Sequence, residues 1–543
     1  MSPFDKKAGK PDKFSFWCWV ALVLVIVGAA VIRGRLSSIP LERDEGEYAY
    51  MAQLMLKGVP PYLSAYSMKL PGIYAVYAVI LAVFGQTHTA IHVGLLIVNA
   101  ATILVIFWLA RGLFGSLAAV AAAGAYAIMS LAASVTGLSA NAEHFVNLPA
   151  LIGIMLVVKS VECRKLVVVF CAAFLLGLAF IIKQHGIFFA VFAALYLLYA
   201  DLCHRPIKWR RAVVSQAVFA AGVVIPFVLV CLVLRQAGAF EKFWFWTFVY
   251  ARKYATAVPL LVAIKLFQMQ VVPVIGSAIL IWGLAVLGLV DLFASKHHRH
   301  QAVFVAGLLV FSFLAICPGF YFRGHYFLFL LPVVAILAGE GFAVINNLPA
   351  SRGLGSRRRL IAILIGLVVA GFSLFQQRVY LFYNTPSKVC QLIYTGNPFS
   401  ESLEIAEFIR ANCRSDDTIA VIGSEPQIYF YSDRRAATAY IYVYPLMEAH
   451  DYATTMQKEM IQQIESAKPE LMVFVNVSPS WLARPGSVKL IFNWFNSYYP
   501  RFYDLVGVVS ISLTGQSVYR WNQQAAGYTP DSPCWVAVYK RKH

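Results

Sequence analysis

Residues 17–32 read WCWVALVLVIVGAAVI, and a few positions later residues 43–48 read RDEGEY. The first run carries no polar stripe of either helical or strand period. A block of that kind satisfies its own backbone groups only as a helix inside hydrocarbon. Similar blocks recur along the chain as far as residues 360–375. They account for a 543-residue composition that is 60% hydrophobic and only 13% charged, with a mean hydropathy of +0.69. Soluble domains carry about a quarter charged residues. The sequence is therefore that of a polytopic α-helical membrane protein.

The net charge of +19 raises the question of nucleic acid. The basic residues, however, stand in short runs between apolar blocks, where they orient spanning helices, so no nucleic-acid partner is expected. The partners implied are membrane lipids. Lys6, Lys7, Lys10 and Lys13 precede the first block with no small-residue cleavage site and soluble domain after it, as in an uncleaved signal anchor. The nine cysteines form no CxxC or CxxH and indicate no thiolate metal site. Cys390, Cys413 and Cys534 share the C-terminal region, where one disulfide is open.

Two regions follow: a membrane part, residues 1–377, and a more polar part, residues 378–543. The second alternates helix-like runs (401–413, 452–467) with strand-like ones (418–423, 471–477, 505–510, 535–539) and reads as a small α/β domain. Basic runs at Lys6 to Lys13, Lys159 with Arg164 and Lys165, Arg205 with Lys208, Arg210 and Arg211, Lys296 with Arg299, and Arg352 with residues 357–359 are assigned to the cytoplasm. After early blocks at 90–109 and 117–135, the blocks between successive runs from Lys165 to Arg352 come in out-and-back pairs, 166–182 with 187–200, 212–234 with 272–290 and 302–316 with 326–345, and the last block delivers the C-terminal domain outside. Arg33 and Arg35 are an exception. The stretch 73–84 spans about 12 residues, short of the roughly 20 a bilayer needs, and is read as a juxtamembrane helix on the outer face. The count becomes about eleven spanning helices of this length class, with two acidic clusters on the outer side.

The first cluster, Asp44, Glu45 and Glu47 in RDEGEY, with Tyr48 and Tyr50 behind it, suits proton abstraction from a hydroxyl or amine. A solvated loop explains exposed acids equally well in general. The second, Asn141, Glu143 and His144, opens a helix. Capping accounts for Asn141 but not for ionisable groups beside a membrane-embedded helix start. Cations are expected on the same face: Lys69; Lys183 with His185; and Arg323 with His325 and Tyr326. A lone lysine there commonly snorkels to head groups. Three such groups on one face suit an anionic phosphate held at the membrane surface. Together the two sets suggest transfer of a glycosyl group from a lipid phosphate, with the cations stabilising the leaving phosphate. No GxxxxGK[ST] or strand-borne GxGxxG is present, so no nucleotide site is expected.

These pieces, in order, resemble the GT-C glycosyltransferases, the superfamily of protein O-mannosyltransferases, the lipid A aminoarabinose transferase and related bacterial enzymes. The matching stretches are Asp44-Glu45 with Tyr48, residues 58–62 (GVPPY), 69–74 (KLPGIY), 111–115 (RGLFG), 177–183, and 323–326 (RGHY) followed by Pro332. In the tail, residues 422–429 (IGSEPQIY) resemble extracytoplasmic domains of bacterial members. The resemblance implies a GT-C-like fold and an integral, bacterial inner-membrane protein whose site and C-terminal domain are extracytoplasmic. It implies a polyprenyl-phosphate sugar donor, a glycan, lipid or protein acceptor, and inversion at the anomeric centre. By resemblance Asp44 is the base, with Glu45 beside it and Glu143 the second acid, while Lys69, Lys183, His185, Arg323, His325 and Tyr326 hold the donor phosphate. Here Leu70 precedes a single Pro71 where relatives often carry two prolines, and the second acid is glutamate rather than aspartate. Some relatives bind a divalent metal ion between the acids and others bind none; in this chain such an ion would fall to Asp44, Glu143 and His144.

A transporter or flippase of lipid-linked saccharides is the competing reading, and would place charges near helix centres. A scaffold is a third. Glu425 is read as a turn residue.

Overall fold

The computed structural model describes residues 16–204, 206–256, 258–295, 298–347 and 357–542. Lys6, Lys7, Lys10, Lys13, Arg205, Lys296 and Arg352 of the topology argument lie outside the described residues, as do the side chains of residues 357–359.

The apolar blocks fold as helices. The first are α1 (Phe16–Arg35), α2 (Arg43–Leu56), α3 (Gly72–Phe84), α4 (His88–Phe114), α5 (Ser116–Met129), α6 (Ala142–Cys163), α7 (Leu166–Ile182), α8 (Ile187–Cys203) and α9 (Trp209–Gln236). Among the described residues six helices are long and apolar enough to cross a membrane, and a bent pair, Phe240–Ala255 with Leu260–Gly276, adds a seventh if it counts as one span. The expected blocks 117–135, 166–182, 326–345 and 360–375 form shorter apolar helices, the third starting only at Leu331 after a 3₁₀ stretch, Gly324–Phe329. The expected block 272–290 is not one helix. It divides into Leu260–Gly276 and Ile279–Ala294, because Pro273, Gly276 and Ser277 end the first and Ala278 takes a non-helical φ of −151°.

The exception to the charge rule has a structural cause. Arg33 is 4% exposed and donates to the carbonyls of Gly137 (2.9 Å) and Ser130 (2.8 Å). Arg35 donates to those of Leu381 (2.7 Å) and Asn384 (2.8 Å). Both guanidiniums tie α1 to neighbouring backbone, which removes them from the pool of orienting charges.

The tail carries a six-stranded sheet: β1 (Thr418–Ile422), β2 (Arg435–Ala436), β3 (Leu471–Asn476), β4 (Tyr503–Ser510), β5 (Val518–Trp521) and β6 (Trp535–Arg541), in the order β2-β1-β3-β6-β4-β5. β1 runs parallel to both β2 and β3, and β6 is antiparallel to β3 and β4. The helices Glu401–Asn412 and Ala453–Ala467 pack with it. β2, of two residues, and β5, of four half-buried residues, lie at the sheet's two edges and are too short to show an apolar alternation, so the sequence does not announce them. All nine cysteines are free, including Cys390, Cys413 and Cys534.

The tail sits directly on α2. Gly46 of α2 approaches so closely that a Cβ there would lie 2.6 Å from the backbone nitrogen of Gln427. Gly72 does the same on the membrane side, where a Cβ would meet the Ile181 carbonyl oxygen at 2.4 Å. The absence of side chains at these two points lets α2, the loop before α3 and the α7–α8 junction converge.

Candidate active site

α2 begins with a capping box. The Glu42 side chain accepts from the Glu45 amide at 3.1 Å, and the Glu45 side chain accepts from the Glu42 amide at 3.1 Å. Glu45 also accepts from the Ala140 amide (2.6 Å) and pairs with His92 Nε2 (3.0 Å), and it is fully buried. It does not face the cavity described below. Asp44 and Glu47 do, because three residues along a helix return to the same face.

That cavity measures about 360 Å³. On one wall Lys69 donates to Asp44 Oδ1 (2.9 Å) and Glu47 Oε2 (2.8 Å). Glu47 further accepts from the Tyr74 hydroxyl (3.1 Å) and from Ser67. Lys183 caps α7 and donates to Glu143, which stands in the first turn of α6 just behind the cavity surface. Gln184 bonds the Met68 carbonyl (3.0 Å), locking the Lys69 loop beside Lys183. His325 Nε2 lies 3.9 Å from Glu143 Oε1, and Lys183 sits over the Tyr326 ring at 4.5 Å. Arg323 lines the opposite side with its guanidinium over Tyr321 at 5.7 Å. Among the described residues no carboxylate comes within 4.0 Å of it, whereas Lys69 and Lys183 are both ion-paired.

Of the residues expected from sequence, Asp44, Lys69, Lys183, His185, Arg323, His325 and Tyr326 all line this one cavity. Glu143 joins it through Lys183. His185 donates through Nδ1–H to the Ala315 carbonyl (2.7 Å) and packs its ring against Tyr326 (5.0 Å). His144 is buried and is not a lining residue. Asn141 occupies the cap position of α6, yet its amide bonds Thr136 Oγ1 (3.1 Å) rather than the helix. Glu425 lies in the turn after β1, as the sequence suggests, and there it is buried and ion-paired with Arg43 at 2.5 Å.

The sequence places Glu47 in the acidic cluster, but the resemblance assigns it no role of its own, although its i,i+3 spacing puts it on the Asp44 face of α2. Sequence reasoning passed over an aromatic wall: Tyr66, Trp246, Tyr250, Tyr254, Tyr442 and Tyr444. Tyr440, Tyr442 and Tyr444 alternate with Ile441 and Val443, a period-two pattern, but nothing local says that it meets the membrane half.

The electrostatics are set by burial against pairing. Burial alone pushes the Asp44 carboxyl up, but Lys69 reverses this and holds it well below the usual carboxylate range. Burial drives the His325 imidazole well below its ordinary value, and the Lys183 ammonium adds to that, so the ring is neutral at pH 7. The cavity therefore offers the ionised Asp44 carboxylate beside the Lys69-paired Glu47, an arginine with no carboxylate within 4.0 Å among the described residues, and a neutral imidazole.

The donor set does not fit a metal ion. Lys69 Nζ already occupies the position between Asp44 and Glu47, Lys183 neutralises Glu143, and Asp44, Glu143 and His144 do not bring their donor atoms together. The one His-and-carboxylate group among the described residues with mutually close donor atoms is Asp291, His298 and Glu340, none of which lines the cavity.

A bundle of apolar helices with acids and cations gathered over one cavity, capped by an α/β unit, defines an integral membrane protein of the GT-C glycosyltransferase fold. Residues 68–232 match the family described as dolichyl-phosphate-mannose-protein mannosyltransferase. The structure is similar to that of ArnT from Cupriavidus metallidurans bound to undecaprenyl phosphate, with a TM-score of 0.58 and 16% identity over 97% of this chain and 98% of that one. It is also similar to the Archaeoglobus fulgidus oligosaccharyltransferase in complex with Zn and sulfate, with a TM-score of 0.50 and 14% identity over 91% of this chain and 72% of that one. Comparison with curated protein sequences finds no match.

Proposed function

We propose that this chain is a membrane glycosyltransferase that moves a sugar from a polyprenyl-phosphate carrier to an extracytoplasmic glycan, lipid or protein acceptor, with inversion at the anomeric carbon. The observation that carries this reading is the meeting of Asp44 and Arg323 in one cavity. The carboxylate takes the acceptor proton, and the arginine, whose charge no described carboxylate neutralises, holds the carrier phosphate in a charge-assisted bond. The undecaprenyl phosphate named with ArnT supports a carrier of that class.

In this reading the acceptor oxygen attacks the anomeric carbon as its proton passes to Asp44. The bond from that carbon to the phosphate oxygen breaks, and its electron pair stays on the carrier phosphate. Arg323 stabilises that developing charge, helped by Lys183, His325 and Tyr326 around it. Lys69, itself held by Glu47, keeps Asp44 ionised and aimed. No step passes through a metal. The basic runs of the described loops, including Arg164, Lys165, Lys208, Arg210 and Arg211, support an outward-facing site.

The test uses membranes of the source strain lacking its own copy, which supply native donor and acceptor. Mass analysis of envelope glycans is expected to show a sugar restored by the wild-type chain and lost with Asp44→Asn at equal protein level. Restoration by the Asp44→Asn variant overturns the assignment of the base, and no glycan difference with the wild-type chain overturns the reading itself.

A further inference from the structure

The C-terminal unit holds the same helix that carries Asp44. β1 is parallel to its neighbours on both sides, and the crevice at the carboxyl ends of such strands is where open α/β sheets usually bind ligands. Here Arg43 of α2 fills it. Its Nε donates to the Ser424 carbonyl (2.5 Å) just beyond β1, and its NH2 group donates to Glu425 (2.5 Å) and to Asn397 Oδ1 (3.0 Å). Ser424 is pinned in turn by Ser480 Oγ, which accepts from its amide at 2.8 Å. One residue further along α2, the hydroxyl of Tyr442 donates to Asp44 Oδ1 at 3.1 Å. Oδ1 thus takes both Lys69, from the membrane half, and Tyr442, from the tail. Among the described residues Oδ2 has no hydrogen-bond partner, although Asp44 lines the cavity with 19% of its side chain exposed.

We propose that Tyr442 is a positioning residue of the transfer reaction, so that the catalytic centre is composite and completed by the C-terminal domain. Tyr442 and Lys69 occupy Oδ1 and fix the carboxylate plane, leaving Oδ2 as the oxygen that accepts the acceptor's proton. The acceptor oxygen forms its bond to the anomeric carbon, the carbon–oxygen bond to the carrier phosphate breaks with its electron pair leaving on that phosphate, and Oδ2–H is the acid formed. This deepens the glycosyltransferase reading and rests on it for its kinetic arm.

Tyr442→Phe removes one oxygen and keeps the ring in its half-buried place on the cavity wall. With native donor and acceptor in the complemented membranes, the initial rate of glycan formation is expected to fall about 10- to 100-fold, in the range of a misaligned general base. Binding of undecaprenyl phosphate to the purified full-length protein should stay within about twofold of wild type, as for a group acting only in the transition state. A second measurement needs no donor. Carbodiimide labels protonated carboxyls, so Asp44 labelling at fixed pH, followed by mass spectrometry of the full-length protein, should rise about fivefold in Tyr442→Phe, the equivalent of one net hydrogen bond to the carboxylate. A wild-type rate with unchanged labelling overturns the proposal. Weakened carrier binding at an unchanged rate overturns it too, since that makes Tyr442 a donor contact. If no glycan depends on the wild-type chain, the functional reading falls, and the labelling result alone decides whether Tyr442 controls Asp44.

Discussion

Lys69 places its ammonium 2.9 Å from Asp44 Oδ1, and of the charges around that cavity-lining carboxylate it does most to keep it ionised. Burial opposes ionisation and the pairing overcomes it. Lys69→Met should therefore raise the Asp44 pKa and move the acid limb of the rate profile to higher pH, with turnover at neutral pH falling about 100-fold or more as the base is lost. The sign for stability is separate. Because the folded-state value is depressed, the pair stabilises the protein above the unfolded value near ~4 and loses that contribution as pH falls through the folded value. Thermal unfolding followed against pH should show this acid loss in the wild type and a flattened acid arm in the variant.

Arg323 and Lys183 share a cavity but not a role. Arg323 has no carboxylate within 4.0 Å among the described residues, so Arg323→Gln should leave unfolding temperature near wild type and weaken undecaprenyl phosphate binding by roughly 10- to 100-fold, the worth of a charge-assisted hydrogen bond. Lys183→Met instead strips Glu143 of its cation, and the Glu143 side chain is only 1% exposed. Leaving a buried charge unpaired costs on the order of 3–5 kcal/mol. A marked drop in unfolding temperature is expected there, and Lys183→Met combined with Glu143→Gln should recover most of it. Calorimetry in detergent, paired with carrier binding, separates the two effects.

Glu45 and Glu47 exchange the parts that their order in the sequence suggests. Glu45 closes the capping box and meets Ala140 and His92 away from the cavity, whereas Glu47 shares Lys69 with Asp44. Glu45→Ala is expected to destabilise the fold by about 1–3 kcal/mol through loss of a cap and of buried partners, visible as a lowered unfolding temperature. Glu47→Gln should leave that temperature within a few degrees and lower turnover, because Lys69 then keeps only Asp44.

The membrane part was legible because long apolar blocks have one stable solution in hydrocarbon. The four strand-like runs of the tail were legible because alternation and β-branched residues mark a half-buried sheet, as in TIAVI at Thr418–Ile422. The break between Gly276 and Ile279 was not, since tolerance of Pro273 depends on the helices packed around it. In the site, the cations and Asp44 could be named because charge beside a membrane is costly and so informative. Tyr442 and the aromatic wall could not, because tyrosine is equally at home in a core, and its meeting with Asp44 spans almost four hundred residues of chain. Arg33 stands as an exception to the charge rule for the converse reason: its partners are backbone carbonyls, which sequence does not distinguish.

Gly46 lies where the two halves press together, and it offers a test of whether the tail must sit against α2 for the site to form. A Cβ at this position would lie 2.6 Å from the Gln427 amide nitrogen and 2.7 Å from its Cβ. Backbone cannot yield as a flexible side-chain tip would, so Gly46→Ala should push the Gln427 turn away from α2, at a cost of roughly 1–3 kcal/mol for overpacking. The same shift draws Tyr442 and Glu425 off Asp44 and Arg43. The expected signature is faster proteolytic release of the C-terminal domain, together with a loss of transfer as large as that of Tyr442→Phe, while carrier binding at Arg323 persists. A Gly46→Ala protein that resists protease and turns over as the wild type does would show that the contact between α2 and the tail is slack, and that the geometry at Asp44 is set by the membrane half alone.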